Sequence, residues 1–198
     1  MKKKLVQSLK MLLLMTFLLG IVYPFVVTAI GQIIFPYQAK GSLVLRNSKI
    51  IGSELIGQNF SDSTYFQPRP SAVDYNHMPS GASNLALSSS LLSKQVKYRS
   101  NDFLTKNLLN NSFSVPAEIL FASGSGVDPD ISVESAKLQV NRIMKVRKIN
   151  INRAETINNL IDSLTENIQF GISGNKFVNV LMLNLKLDEQ SKKWMIQK

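Results

Sequence analysis

The chain contains no cysteine and only one histidine, His77, in its 198 residues. Without cysteine no disulfide can form, so a domain outside the cytoplasm must be stable through its hydrophobic core alone. One histidine and scattered carboxylates provide no cluster of metal-ligating residues. A Ser-His-Asp triad built from His77 and either Asp74 or Asp128 lacks the G-x-S-x-G motif. These absences argue against a metalloenzyme and against a hydrolase.

Motifs for nucleotide hydrolysis and signs of nucleic acid binding are also missing. Glycine-containing loops occur at Pro79–Asn84 and Ser123–Gly126, but neither has the G-x-x-x-x-G-K-[ST] pattern. We interpret both loops as tight turns that lead into helices. The 23 Lys and Arg residues exceed the 13 Asp and Glu residues, yet they form no stripe with aromatics that would follow a nucleic acid backbone.

Charge is absent from Met11–Phe35, a run of 25 mostly apolar residues. Because about 20 apolar residues at ~1.5 Å each cross a ~30 Å hydrocarbon core, this run predicts a transmembrane helix over residues 11–35. A cleaved signal peptide would have an apolar region of roughly 7–15 residues and a small-residue cleavage site, which favours an uncleaved anchor here. Pro24 is compatible with a kinked lone helix or with packing against other membrane helices.

Four lysines before the run predict its orientation. They are Lys2, Lys3, Lys4 and Lys10, with no acidic residue among them. The positive-inside rule therefore predicts that residues 1–10 form a cytoplasmic basic tail and that residues 36–198 form an extracytoplasmic domain. Without these lysines the rest of the chain still has 19 basic against 13 acidic residues, or +6, which suits a surface near anionic lipids.

The residues after the run show both strand and helix patterns, which predicts an α+β domain on a single amino-terminal helix. Two β-branched stretches flanking Asn47-Ser48 predict a hairpin over Ser42–Ser53. Alternating leucines predict a strand near the end of the chain, at Leu181, Leu183, Leu185 and Leu187. A short apolar run of this kind is also compatible with a buried helix.

Four further segments predict helices. Apolar residues recur at helical spacing over 87–103, and Pro116 opens a short element. Ser132 is well placed as an N-cap, and Asn152 with Glu155 three residues later resembles a capping box. Each of the two helices that follow has one apolar face, made by Ala136, Val140, Ile143 and Met144 and by Ile157, Leu160, Ile161 and Leu164.

The segment Ser63–Asn84 has neither helical nor strand periodicity. It contains three prolines, a lone histidine and the aromatics Tyr65, Phe66 and Tyr75. Disordered segments are poor in aromatics, and long ordered loops usually have a function. We therefore expect an ordered segment that binds something.

Several motifs in one order resemble a known family, the C subunit of the Kdp potassium-transporting P-type ATPase. They are GSELIGQ (Gly52–Gln58), YFQPRPSA (Tyr65–Ala72), SGASNL (Ser80–Leu85), ASGSGVDPDIS (Ala122–Ser132) and VNVLMLNLKLD (Val178–Asp188). The resemblance covers nearly the whole chain. The chain departs from the family pattern at Asp130, where histidine is usual, and at Ala82, where a second glycine is usual.

The resemblance implies a subunit of a potassium-import complex in the bacterial cytoplasmic (inner) membrane that is not an enzyme by itself. Its implied partners are a multi-span potassium-conducting subunit, an ATP-hydrolysing P-type subunit and a small single-span subunit. The family's C subunit is described as a catalytic chaperone that raises the ATP affinity of the pump subunit. ATP is thus the implied ligand, without a metal, and the implied nucleotide-contacting loop is Ser80, Gly81, Ser83 and Asn84.

The predicted orientation puts that loop outside the cell, where ATP is scarce, so we expect coupling through the membrane subunits rather than direct contact. The alternatives are a regulatory subunit that binds ATP directly and an anchored binding module unrelated to transport. For the indirect route, we expect the domain to dock on the outer face of the potassium-conducting subunit. The candidate docking residues are Tyr65, Phe66, Arg69, Ser71, Tyr75 and Asn76. Tyr65 and Phe66 are alternatively core residues of the domain itself.

Overall fold

A long apolar helix begins the chain. In the computed structural model, which describes residues 2–167 and 174–196, this helix is continuous over Lys2–Ile34. It consists of α1 (Lys2–Phe17), a π-helical turn (Leu18–Val22) and α2 (Tyr23–Ile34). Pro24 has no N–H with which to continue the helical ladder, and the wider turn directly before it accommodates the missing hydrogen bond. By length and composition, this is the one helix in the described ranges that could cross a membrane.

A short helix and the predicted hairpin follow the long helix. They are α3 (Pro36–Ala39), β1 (Leu43–Arg46) and β2 (Lys49–Ser53), with β1 and β2 paired in a two-stranded sheet. Asn47 and Ser48 form the turn with φ of 50° and 61°, as a two-residue hairpin turn of type I′ requires. The hairpin prediction is confirmed. The chain then divides into two compact units, one up to Ile51 and one from Gly52 onward.

The second unit mixes helices with a three-stranded antiparallel sheet. Its elements are α4 (Ser90–Lys106), α5 (Ala117–Leu120), β3 (Asp130–Ser132), α6 (Val133–Val146), a 3₁₀ turn (Ile151–Arg153), α7 (Ala154–Ser163), β4 (Thr165–Glu166), β5 (Phe177–Asn179) and α8 (Val180–Ile196). The strand order is β3-β5-β4, and Ile131 lies opposite Val178. The α+β fold on a single amino-terminal helix is confirmed.

The core of this unit lies between the sheet and helices α6, α7 and α8. Ile143 on α6, Ile157 and Ile161 on α7, and Leu183 and Leu187 on α8 are fully buried within it. The predicted apolar faces of α6 and α7 are therefore the faces that pack inward. Burial of these side chains contributes about 1.5–3 kcal/mol each to folding.

The leucine-rich segment near the end is a helix, so the predicted strand there is wrong. Only Phe177–Asn179 is a strand, and α8 takes over at Val180. Most of the residues that α8 buries follow the helical period, namely Val180, Leu183, Asn184, Leu187 and Trp194, and Leu181 is buried at the edge of this face. Leu185 is only partly buried because it does not lie on this face.

Helix-start signals were predicted correctly at one of two positions. Ser132 caps α6, since its side-chain oxygen accepts a hydrogen bond from the backbone N–H of Ser135 at 3.1 Å. The capping box at Asn152 and Glu155 is wrong. Asn150 is the capping residue instead, and its side chain accepts from the N–H of Asn152 at 3.0 Å. A 3₁₀ turn is inserted there, so α7 begins two residues after Asn152.

Candidate functional site

The segment Ser63–Asn84 lies against helices α6 and α8 and contains no regular helix or strand. Phe66 is fully buried in the core. The side chain of Asn184 binds both backbone groups of Phe66, accepting from its N–H at 2.8 Å and donating to its carbonyl at 2.9 Å. Because its side chain is not accessible to a partner, Phe66 is not a docking residue. It is a core residue of the domain, which was the alternative interpretation.

Gln139 holds the next residue of the segment in the same way. Its side-chain oxygen accepts from the N–H of Gln67 at 2.7 Å, and its amide donates to the Gln67 carbonyl at 3.0 Å. Arg142 donates to the same Gln139 oxygen at 2.8 Å, to the side chain of Asn107 and to the carbonyl of Ser63. Burial lowers the pKa of Arg142 to about 10, which leaves the guanidinium charged at neutral pH.

Tyr65 lies at the edge of the core and is held by charged residues. Its hydroxyl donates to Asp188 at 3.2 Å, and the guanidinium of Arg147 lies 4.8 Å from its ring centroid. Arg147 also pairs with Asp188 at 3.0 Å. Burial, followed by the charge of Asp188, raises the pKa of the Tyr65 hydroxyl. The side chain is only partly buried, so part of its surface remains open.

Arg69, Ser71 and Tyr75 are linked to one another. Arg69 forms an ion pair with Asp128 at 2.6 Å, and the Tyr75 hydroxyl donates to the Arg69 carbonyl. The Ser71 hydroxyl donates to the Gly126 carbonyl at 2.6 Å and accepts from the N–H of Tyr75 at 2.9 Å. Burial, followed by the charge of Asp128, raises the pKa of Tyr75. These side chains are partly buried in a rigid arrangement.

Asn76 completes the docking set and is exposed. Its side-chain oxygen accepts a hydrogen bond from the N–H of Met78 at 3.3 Å, and the Met78 side chain is 86% exposed. His77 is exposed between them and makes no hydrogen bond to a serine or a carboxylate within the described ranges. Of the six docking residues, Asn76 is thus exposed, Phe66 is buried and the other four are partly buried, while docking itself stays a prediction.

The two glycine loops, which are distant in sequence, contact each other. The N–H of Gly81 donates to the carbonyl of Ser125 at 2.9 Å. Gly126 has a φ of +72°, and a Cβ placed on it would lie 2.5 Å from Val73 and 2.9 Å from the Gly81 carbonyl. Ser80, Ser83 and Asn84 remain exposed. The loop predicted to contact nucleotide is therefore joined to the second glycine loop through its only glycine.

A cavity of about 440 Å³ with charged residues of both signs lies beside the Arg69–Asp128 pair. Its charged lining residues are the acidic Glu118, Asp128 and Asp130 and the basic Arg69 and Lys176. Burial, followed by the charges of Asp128 and Glu166, raises the pKa of Asp130 to about 6. No three His, Cys, Asp or Glu side chains are grouped to hold a metal ion in the part of the chain that the structure describes.

Sequence reasoning missed the polar residues that hold the segment: Gln139, Arg142 and Asn184. Each is at least 97% buried, on a helix whose other buried positions are mostly apolar. Buried polar groups must be hydrogen-bonded. A polar residue within an apolar helical stripe was therefore the available signal that α6 and α8 bind the backbone of another segment.

Comparison with known proteins identifies the family. The family model described as KdpC, K⁺-transporting ATPase, c chain, matches residues 5–189. The chain is 44% identical over 193 residues to the potassium-transporting ATPase KdpC subunit of Caldanaerobacter subterraneus subsp. tengcongensis, covering 98% of both chains. It is 42% identical to the KdpC subunit of Leptospira interrogans, covering 92% of both, and 42% identical to that of Mycobacterium tuberculosis, covering 95% of this chain and 99% of the relative. The chain belongs to the KdpC family, the c chain of K⁺-transporting ATPases.

Proposed function

We propose that this chain is a non-catalytic accessory subunit that raises the ATP affinity of the pump subunit in a potassium-import complex, acting through the membrane subunits. One observation carries the indirect route. The only glycine amide of the Ser80–Asn84 loop is already bound to the carbonyl of Ser125. Backbone amides that cradle phosphate must be free to point at the ligand.

The charge of the loop supports the same proposal. Residues 79–89 contain no lysine or arginine, whereas triphosphate sites pair backbone amides with basic side chains. The exposed groups of the loop are the short polar side chains of Ser80, Ser83 and Asn84. This loop is poorly suited to bind a nucleotide. We therefore assign it a structural role within the Ser63–Asn84 segment and propose that ATP binds to the pump subunit alone.

The solvent-facing part of the segment, which we call the rim, is suited to dock a partner and comprises Arg69, Ser71, Tyr75, Asn76 and Met78. Arg69, Ser71 and Tyr75 are fixed by hydrogen bonds and an ion pair, so a partner that contacts them pays little conformational entropy. Asn76 and Met78 extend from this fixed base into solvent. We assign their partner as the outer face of the potassium-conducting subunit, with residues 1–10 in the cytoplasm and the domain outside the bacterial inner membrane.

Coupling between this dock and the ATP site has a defined size and must be reciprocal. Allosteric coupling is typically ~1–3 kcal/mol, which corresponds to about 5–150-fold in affinity. Loss of the dock should therefore raise the KM of the complex for ATP within that range. ATP binding to the pump subunit should in turn raise the affinity of the other subunits for this chain by the same factor.

The rim variants Asn76→Arg and Met78→Glu test the proposal in the complete complex. Both positions are exposed, so neither substitution removes a core contact. Asn159→Arg, at an exposed position of α7, is the matched control. We expect the rim variants to lower recovery of the complex in detergent and to raise the KM for ATP, while the control changes neither. Full recovery with an unchanged KM for both rim variants contradicts the proposal.

A topology reporter fused at Lys198 tests the sidedness. An extracytoplasmic reporter signal agrees with indirect action. A cytoplasmic signal, together with an ATP photo-crosslink to Ser80–Asn84, would instead establish direct contact with the nucleotide.

A further inference from the structure

A basic cavity of about 790 Å³ lies at the opposite end of α6 from its Ser132 cap. It is formed by the turn that follows α6, the 3₁₀ turn and the last turns of α8. Three of its lining residues are basic, namely Arg147, Lys148 and Arg153, and none is acidic. Its volume is within the range of ~300–1,000 Å³ that is usual for small-ligand sites.

The guanidinium of Arg147 is already bound by other residues of the domain. It donates to the carbonyl of Thr64 at 2.7 Å, to Ser191 at 3.2 Å and to Asp188 at 3.0 Å. Its guanidinium face also lies over the ring of Tyr65. Because Asp188 neutralises its charge, Arg147 lines the cavity without offering a free positive charge to a ligand.

Arg153 and Lys148 are available to a ligand. The guanidinium of Arg153 lies 5.0 Å from the ring centroid of Trp194, which holds its plane in place by a cation–π contact. The backbone N–H groups of Arg153 and Lys148 donate to the carbonyls of Asn150 and Lys145, but among the residues that the structure describes none accepts a hydrogen bond from, or forms an ion pair with, the side chain of Arg153 or Lys148. Lys148 is exposed, with a φ of +52° directly after the C-cap of α6.

We propose that this cavity binds a phosphate ester, with the headgroup of an anionic phospholipid as its source. An oriented guanidinium edge matches two phosphate oxygens, and the neighbouring ammonium adds a second positive charge. A chain with a membrane-crossing helix meets lipid phosphates at high effective concentration. A basic residue near an anionic membrane surface contributes about fivefold to binding. This inference is independent of the proposed docking surface.

The single tryptophan makes the site directly measurable. Trp194 is the only tryptophan of the chain, and it lines this cavity while packing against the core, so its emission responds to changes at the cavity. The full-length chain would be reconstituted in phosphatidylcholine vesicles with and without phosphatidylglycerol, and the shift of Trp194 emission recorded. In parallel arms, inorganic phosphate and glycerophosphoglycerol would be titrated into the phosphatidylcholine sample.

Lys148→Gln is the test variant, because it removes a charge without touching Trp194. Lys97→Gln, at an exposed position of α4, removes the same charge elsewhere and is the control. We expect phosphatidylglycerol to shift Trp194 emission in the wild type and the control, and half-saturation in Lys148→Gln to need about fivefold more lipid. Arg153→Lys keeps the positive charge, so charge alone predicts no change in the response. We expect the response to weaken nevertheless, because lysine lacks the planar guanidinium that binds two phosphate oxygens at once.

The outcomes separate the source of the phosphate from the existence of the site. A response to phosphatidylglycerol but not to inorganic phosphate at matched concentration supports the lipid source. An equal response to inorganic phosphate supports the site with a free anion as its ligand and overturns the lipid source. The absence of any response in the wild type, or equal responses in Lys148→Gln and Lys97→Gln, overturns the site.

Discussion

Asn184 binds the backbone of Phe66 across 118 positions of sequence, accepting from its N–H at 2.8 Å and donating to its carbonyl at 2.9 Å. Gln139 does the same for Gln67, the next residue. Two side-chain amides, one on α8 and one on α6, thus replace the ladder partners that a strand would have had. This is how a segment without regular structure remains ordered inside the domain.

Replacement of Asn184 by leucine should destabilise the domain by about 2–4 kcal/mol. The substitution introduces an apolar side chain of similar size and leaves the buried N–H and carbonyl of Phe66 without partners, and each such group costs about 1–3 kcal/mol. Urea unfolding of the full-length chain in detergent would measure the change. Asn159→Leu at an exposed position should stay within about 0.5 kcal/mol. A loss below about 1 kcal/mol for Asn184→Leu would contradict the role given to this amide.

Gly126→Ala and Gly124→Ala should differ sharply although they lie two residues apart. Gly126 has a left-handed φ and its Cβ would clash with Val73 and the Gly81 carbonyl, whereas nothing lies within 4 Å of a Cβ on Gly124. We expect about 1–3 kcal/mol of destabilisation for Gly126→Ala and near-neutral stability for Gly124→Ala. Thermal unfolding of both variants would measure this. Equal midpoints would show that the two glycine loops do not pack tightly in solution.

The same contacts show where sequence reasoning succeeds. The helical faces of α6 and α7 were predictable because the apolar residues at helical spacing there either are buried, as Ile143 and Ile157 are, or pack partly buried against the core, as Leu160 does. The order of the Ser63–Asn84 segment was predictable from its aromatics and prolines. Its partners were not, because they depend on single polar residues far away in sequence.

The strand predicted at Leu181–Leu187 shows how such a polar residue misleads. The four leucines alternate, and Asn184 between them looks like a solvent-facing position of a strand. In α8 the buried face includes Leu183, Asn184 and Leu187, so Asn184 belongs to the apolar stripe. A short run satisfies both periods, and only the distant partner Phe66 makes Asn184 a core residue.

The start of α7 can be tested with two asparagines. Asn150→Ala should cost about 1 kcal/mol, because the Asn150 side chain accepts the hydrogen bond from the N–H of Asn152. Asn152→Ala should cost no more than a few tenths of a kcal/mol, since its side chain is exposed and caps no helix. Chemical denaturation of the two variants would compare them. A larger loss of stability for Asn152→Ala than for Asn150→Ala would instead support the capping box predicted at Asn152 and Glu155.

Asp130 should make the stability of the domain depend on pH in a defined window. Burial and the charges of Asp128 and Glu166 raise its pKa from 3.8 to about 6. Between these values the folded chain holds a proton that the unfolded chain has released, so the free energy of unfolding falls as pH rises. The contribution is fully present below pH 3.8 and lost above about pH 6.

Asp130→Asn should remove this dependence, because asparagine is uncharged at every pH. Asp130 is only partly buried, so solvent screening reduces the effect, and we expect the variant to be about 1 kcal/mol more stable at pH 7.5 and equal to the wild type near pH 4. Glu166→Gln removes one of the two repelling charges and should lower the pH at which the wild-type slope ends. Urea titrations between pH 4 and pH 8 would measure all three chains. Parallel curves for the wild type and Asp130→Asn would mean that Asp130 is already ionised across this window.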